Sequence, residues 1–295
     1  MQFHDSVLRG TNMPEKAVSF LSQSERLYGI LGLPDKQPLG GVVLLHGWSG
    51  CRMGPHRILV ETARTLNLRR IATLRFDFSG RGESQGNPFE TDVDRMFQDT
   101  CAAINHLQTT LDNPLPLGLL GMCSGGNVAL SAATMDGRIS AVACWSTYPF
   151  QIQRQRRQDV KRTGHFLKTY VKKALRRETW TKLVKGRINF GMIFDVLFGH
   201  YRKDSDQHER NPQEFQQEEK IVEALANYPG KLLFLFGGAD PEAKDARKLF
   251  GEFLADKKPA AEFHVVKRSN HNFYSLPWKK EALTHTAHWF AKILG

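Results

Sequence analysis

Apolar residues in this chain gather in short, mostly continuous runs: Val42 to Leu45, Ile71 to Phe76, Leu115 to Leu120, Ala141 to Trp145, Lys231 to Phe236 and Glu262 to Val266. Runs of four to six residues bordered by glycine or polar residues read as strands covered on both faces. Between them, apolar positions recur at helical spacing, which predicts helices over Pro55 to Leu66, Asp92 to Leu107, from Ser124 onward, Glu242 to Ala255 and Lys279 to Leu294. Ahead of these, Ala17 to Leu21 and Leu27 to Leu31 flank the polar turn Ser22 to Glu25 and predict an edge hairpin. Strand and helix alternate, so the fold class is α/β: a mostly parallel central sheet, right-handed crossovers and helices on both faces.

One segment breaks the alternation. Residues 151 to 210 hold 16 Lys and Arg against 6 Asp and Glu, a surplus of 10 that supplies nearly all of the net charge of +11. Within it, Leu167, Tyr170, Val171, Ala174 and Leu175 recur at helical spacing among Lys168, Lys172, Lys173, Arg176 and Arg177, an amphipathic basic helix, and Ile188 to Phe198 forms a second apolar block. The reading is therefore a core made of residues 1–150 and 216–295, interrupted once by a basic helical segment, 151–215. With 41% hydrophobic and 24% charged residues, 295 residues suffice for one large core with an insertion. There is no 18-residue apolar run, and Met1 to Asp5 open nothing like a signal peptide, so a cytoplasmic location is expected. The four cysteines, Cys51, Cys101, Cys123 and Cys144, form no C-x-x-C pair, and reduced thiols are the default.

The chemistry centres on Gly121-Met122-Cys123-Ser124-Gly125-Gly126, set between an apolar strand and a helix-forming run. A sharp strand-to-helix turn exposes its central side chain and needs small residues two positions to either side. Centring on Cys123 places Gly121 and Gly125 there; centring on Ser124 would place the long Met122 there. The register favours the thiol, which then stands at a helix N-terminus that stabilises a thiolate. A buried cysteine in a glycine-rich connection is the rival reading, and the partners decide between them.

Two further groups lie just past the carboxyl ends of strands, where sites form in open α/β sheets: Gly237-Gly238-Ala239-Asp240-Pro241, and Lys267 to Asn272 with His271. Asp240 is the preferred acid, with helix capping as its rival role and Glu242 or Asp245 as alternatives. His271, in a loop at the active edge, is a stronger base than His264, which lies within a strand. For a negative oxygen the backbone N–H groups of Trp48, after His46-Gly47, and of Ser124, after the cysteine, are the candidate donors. Gly80-Arg81-Gly82 lacks the third glycine of a dinucleotide loop, there is no phosphate-binding G-x-x-x-x-G-K-[ST] and no H-E-x-x-H, and His285 and His288 have no evident third ligand; no metal site is expected.

The His46-Gly47-Trp48 loop, Asp77-x-x-Gly80-x-Gly82-x-Ser84, the Cys123 elbow, Asp240 and His271 together resemble the α/β-hydrolase superfamily everywhere outside the basic segment. The cysteine departs from the usual serine. It looks like the nucleophile of dienelactone hydrolases and polyhydroxyalkanoate synthases, and the whole pattern is similar to the exosortase-system-associated hydrolases. The resemblance implies a Cys123, Asp240, His271 triad, acyl transfer without a cofactor, and a helical lid at 151–215. Hydrolysis of carboxylic esters or thioesters is the expected activity. Because a thioester intermediate reacts readily with amines, alcohols and thiols, transfer from coenzyme A or a carrier protein is the alternative, and a non-catalytic ligand-binding protein of the same fold is a third reading. A cationic lid suits an acidic acyl carrier protein, coenzyme A or an anionic membrane surface; with no recognition motif in the chain, nucleic acid is disfavoured.

Overall fold

The structure is a computed structural model that describes residues 15–111, 114–148, 224–257 and 259–295; the basic segment and the predicted lid lie outside the described residues. The described residues build one eight-stranded sheet: β1 (Glu15–Ser22), β2 (Glu25–Gly32), β3 (Gly40–Leu45), β4 (Ile71–Phe76), β5 (Leu117–Met122), β6 (Ile139–Trp145), β7 (Lys231–Gly237) and β8 (Ala260–Val266), in the order β1-β2-β4-β3-β5-β6-β7-β8. The hairpin forms at the edge as predicted, β2 pairs antiparallel with β4, and every pairing from β4 to β8 is parallel. A parallel sheet needs a crossover between neighbours, and four helices lie in such connections, α1 (Ile58–Asn67), α2 (Val93–Thr110), α3 (Ser124–Met135) and α4 (Ala243–Leu254), while α5 (Leu276–Leu294) follows β8, the last strand.

The period of two along each strand decides which helix it meets. Val42, Leu44, Leu120, Met122, Ala143, Trp145, Leu233 and Leu235 share one core with Ile58, Leu59 and Leu66 of α1 and Ala287, Phe290 and Leu294 of α5. On the other face, a Cβ at Gly41 would meet Leu107 and Leu111 at the end of α2. Phe234 likewise points away from α5, its ring 4.3 Å from that of Phe250 in α4. Both faces are thus covered, which is why β3 to β7 read as mostly continuous apolar runs, with Thr73 and Arg75 of β4 as interruptions.

Three details differ from the sequence reading. β5 begins at Leu117 rather than Leu115: Pro116 has no N–H to give to a ladder, and only its carbonyl is used, by Gly41 N–H at 3.0 Å. The helix expected from Pro55 is split. Pro55–Arg57 is a short 3₁₀ turn in which His56 (φ 53°) and Arg57 (φ 61°) are left-handed, and α1 starts only at Ile58. At the other end α5 starts three residues early, at Leu276, with Pro277 in its first turn, where a missing N–H costs nothing.

β5 and α3 approach so closely that a Cβ on Gly121 would collide with the Gly125 carbonyl and one on Gly125 with the His46 carbonyl. Gly121→Ala is therefore expected to lower stability by about 1–3 kcal/mol through overpacking, read as a lower urea midpoint. Gly251→Ala, inside α4 with nothing within 4 Å of the added methyl, is expected to raise it, by about 0.5–1 kcal/mol.

Candidate active site

Cys123 occupies the turn between β5 and α3 with φ 56° and ψ −124°, a backbone conformation that costs a non-glycine residue of order 1–3 kcal/mol. It is held there by its N–H, bonded to the Trp145 carbonyl at 2.8 Å, and by its carbonyl, which accepts from Gly126 N–H at 3.0 Å. His271 Nδ1 lies 2.8 Å from Asp240 Oδ2, and Cys123 is near enough to His271 for the thiol to act on the charge of the imidazole. Asp240 also receives the Glu242 N–H on Oδ1 at 3.3 Å, a local turn bond; the helix-capping role weighed for it is not what it performs, since the N-cap of α4 is Glu242, with no side-chain capping bond. His264, the weaker candidate, points elsewhere, to Glu281 at 2.9 Å.

The electrostatics follow from this packing. Burial works against charge on His271, but its hydrogen bonds to Asp240 and Cys123, with their negative charges, outweigh it and bring the imidazole up to about 9. Burial would likewise raise Asp240, yet the hydrogen bonds from His271 and Tyr148 hold it below the ordinary carboxylate value. The His271 loop is pinned from below: Ser146 donates its N–H to Leu235 and its hydroxyl to the His271 carbonyl, each at 2.8 Å. Ser146 pays in backbone strain, with φ 47°.

The loop after β3 lies against the elbow, close enough that a Cβ on Gly47 would stand 3.4 Å from Cys123 Cβ. Trp48 and Ser124 are brought together: the Trp48 N–H donates to Ser124 Oγ at 2.7 Å. His46 is a structural partner of this loop. Its Nδ1–H donates to the Gly47 carbonyl at 2.7 Å and its Nε2 accepts from Phe78 N–H at 3.3 Å, while burial holds the ring below its ordinary value and hence neutral. The D-x-x-G-x-G-x-S stretch braces the same loop. Asp77, wholly buried, accepts from the Arg52 N–H at 2.6 Å and pairs with the Arg52 guanidinium, which also pairs with Glu83. Gly82 (φ 52°) lets the chain wrap the carboxylate, Ser84 donates to the Asp77 carbonyl at 2.6 Å, and Arg81 stacks over the Trp48 ring at 5.3 Å.

The sequence reading missed two participants. Arg52 lies in no motif, although an arginine five residues after Gly47 facing a buried aspartate is a pairing only the fold reveals. Tyr148 stands three residues beyond β6, and its hydroxyl donates to Asp240 Oδ2. Cys51 lies in the loop between Trp48 and Arg52, half-buried, its carbonyl taken by Gly54 N–H at 2.9 Å. His285 pairs with Glu262 at 2.9 Å, and among the described residues no group of three His, Cys, Asp or Glu is arranged to hold a metal.

A mostly parallel eight-stranded sheet carrying a strained strand-to-helix elbow at its carboxyl edge defines an α/β-hydrolase fold. Residues 42–281 match the alpha/beta hydrolase family, and the chain belongs to that family. In sequence it is similar to the polyketide transferase grgF of a Penicillium species, 34% identical over 100 residues that make up 31% of this chain and 32% of that one. The curated proteins it matches are covered over only 24–36% of their own length. In structure it is similar to a dienelactone hydrolase from Anabaena variabilis (TM-score 0.64, 17% identity, 97% of this chain and 100% of that one). It is also similar to the esterase Pf2001 of Pyrococcus furiosus (TM-score 0.65, 17% identity, 100% and 96%). At such identities the structural likeness speaks for the fold.

If the Arg52–Asp77 pair fixes the loop that carries Trp48, Asp77→Asn should loosen that loop before the rest of the molecule. The expected outcome is hydrogen exchange faster by about tenfold or more at the amides of residues 48–52, equivalent to losing about 1.4 kcal/mol of local protection, with the amides of β5 and β6 unaffected.

Proposed function

We propose that the protein is a cysteine-dependent hydrolase that cleaves carboxylic ester or thioester bonds through Cys123, His271 and Asp240. The observation that supports this reading is an imidazole, His271, whose Nδ1 is taken by the buried Asp240 carboxylate, beside an elbow that carries Cys123; this would leave Nε2 to exchange the proton with the thiol. Cys123 Sγ attacks the carbonyl carbon as His271 takes the thiol proton. The tetrahedral oxyanion is met by the N–H groups of Trp48 and Ser124, displacing Ser124 Oγ from the Trp48 donor. His271 then gives the proton to the leaving oxygen or sulfur, leaving an acyl thioester on Cys123. In the second half His271 accepts a proton from the incoming water, which releases the acid, and returns it to the sulfur as the C–S bond breaks.

Transfer to an alcohol, amine or thiol in place of water is the second reading. It is favoured by the reactivity of a thioester and by the likeness to a protein named as a polyketide transferase. Under either reading the basic segment at 151–215 would guide an acidic acyl carrier, such as a carrier protein or coenzyme A, by long-range attraction. Charge reversal at Arg176 and Arg177 should then lower the second-order rate with a carrier thioester, and added salt should do the same; a rate indifferent to both removes that role.

The test of the chemistry is a panel of short- and long-chain esters and thioesters, with and without acceptors, followed by mass spectrometry of the intact protein. An acyl adduct on Cys123 is expected, and Cys123→Ala should abolish it and lower kcat by about a thousandfold or more. An adduct on Ser124 would overturn the choice of nucleophile. A folded protein that binds acyl ligands but is never acylated would instead be a binding protein on this fold.

A further inference from the structure

Tyr148 is buried, 8% exposed, with its ring stacked on that of His271 at 5.6 Å and 27°. Its oxygen lies 2.9 Å from His271 Nδ1 and its proton goes to Asp240 Oδ2, the same atom that accepts from His271 Nδ1–H at 2.8 Å. The three polar atoms close a triangle in which one carboxylate oxygen serves two donors. Burial, with the charge of Asp240 beside it, pushes the Tyr148 phenol above its ordinary value. A donor bound to an anion draws charge toward itself and weakens the anion's hold on any other proton.

We propose that Tyr148 is a positioning residue of this site which, by sharing Asp240 Oδ2 with His271, limits how tightly the carboxylate holds the imidazolium proton. The proposal rests on the triad reading given above and adds to it a group that touches neither thiol nor acyl carbon. The titratable groups around the ring are Cys123 from the elbow, Asp240 from the loop after β7 and Tyr148 from the segment after β6, with Glu242 acting on Tyr148 from a distance. The consequence is chemical. An imidazolium bound by an undivided carboxylate would be a poorer acid toward the leaving group, and division of that charge keeps His271 nearer the range in which it can both take and give a proton.

The direction of a shift separates this role from simple support. With the His271 ring titrated by NMR in the Cys123→Ala background, where neither thiolate nor turnover contributes, Tyr148→Phe keeps the stacked ring and removes only the hydroxyl. The midpoint is expected to rise by about half to one pH unit, a roughly three- to tenfold tighter hold on the proton. A midpoint that falls would mean that Tyr148 merely keeps Asp240 in place, and one that does not move would mean that the hydroxyl is passive; either overturns the proposal. In an Asp240→Asn background the midpoint should drop, and adding Tyr148→Phe should produce no rise. Should Tyr148→Phe not fold, 3-fluorotyrosine at position 148, a stronger donor, must lower the midpoint, and an unchanged or raised value overturns the proposal equally. Because no step of the titration needs acylation, its failure is distinct from the absence of a Cys123 adduct, which bears on the triad chemistry alone.

Discussion

The close approach of β5 to the first turn of α3 is the constraint on which the remaining geometry depends. Gly121, Gly125 and Gly126 lie where the Gly125 carbonyl, the His46 carbonyl and the Thr147 side chain leave no room for a Cβ. Their smallness lets the chain reverse within one residue, and that residue, Cys123, absorbs the strain in its positive φ. A looser turn would relieve the strain and withdraw the thiol from the sheet edge. The same contacts seat the loop after β3 against the elbow, because Gly125 packs directly on the carbonyls of Leu45 and His46.

Once the elbow is fixed, hydrogen bonds between strand ends carry its position outward. Cys123 N–H is tied to Trp145 at the end of β6, Ser146 N–H to Leu235 in β7, Gly238 N–H to Val266 at the end of β8, and Ala239 N–H to Ser269. The first three bonds join a loop to the neighbouring strand and the fourth joins the loops after β7 and β8, so loops far apart in sequence are placed in the order of the sheet. On the opposite side, Asp77 performs the same task for the loop that bears Trp48, using a buried ion pair with Arg52 instead of a ladder. Such a pair adds little net stability over an apolar one, but its directional bonds to Arg52 N–H, Glu83 N–H and the guanidinium allow one loop arrangement.

These mechanisms explain what could be read from the sequence. The buried strands were legible because a strand covered on both faces leaves a continuous apolar signature, and Cys123 was preferred over Ser124 because Met122 could not occupy a glycine's place. Asp240 and His271 were legible from their position after strands. Tyr148 was not: Ser146-Thr147-Tyr148 carries no periodicity, and whether a tyrosine three residues past a strand turns inward depends on the β6–β7 spacing. Arg52 was hidden likewise, since its partner is 25 residues away across the sheet. The split before α1 has no sequence signal, since His56 and Arg57 are ordinary helical residues; their left-handed backbone breaks the helix there, with the His56 ring packed against Tyr274 at 4.2 Å.

The Asp240 cluster shows why a charge can be buried at this edge at all. A carboxylate 4% exposed on its side chain is unstable without donors, and a partly satisfied buried network is worse than an apolar one. Here the demand is met from three directions: His271 and Tyr148 on Oδ2 and the Glu242 N–H on Oδ1. Each donor comes from a different loop, after β8, after β6 and after β7. The carboxylate is therefore both the product of the folded sheet edge and a clamp on it, since displacing any one loop leaves a buried anion short of a partner. That mutual dependence orients the His271 ring without help from a ligand, because the ring is held by a carboxylate whose own place is set by three loops.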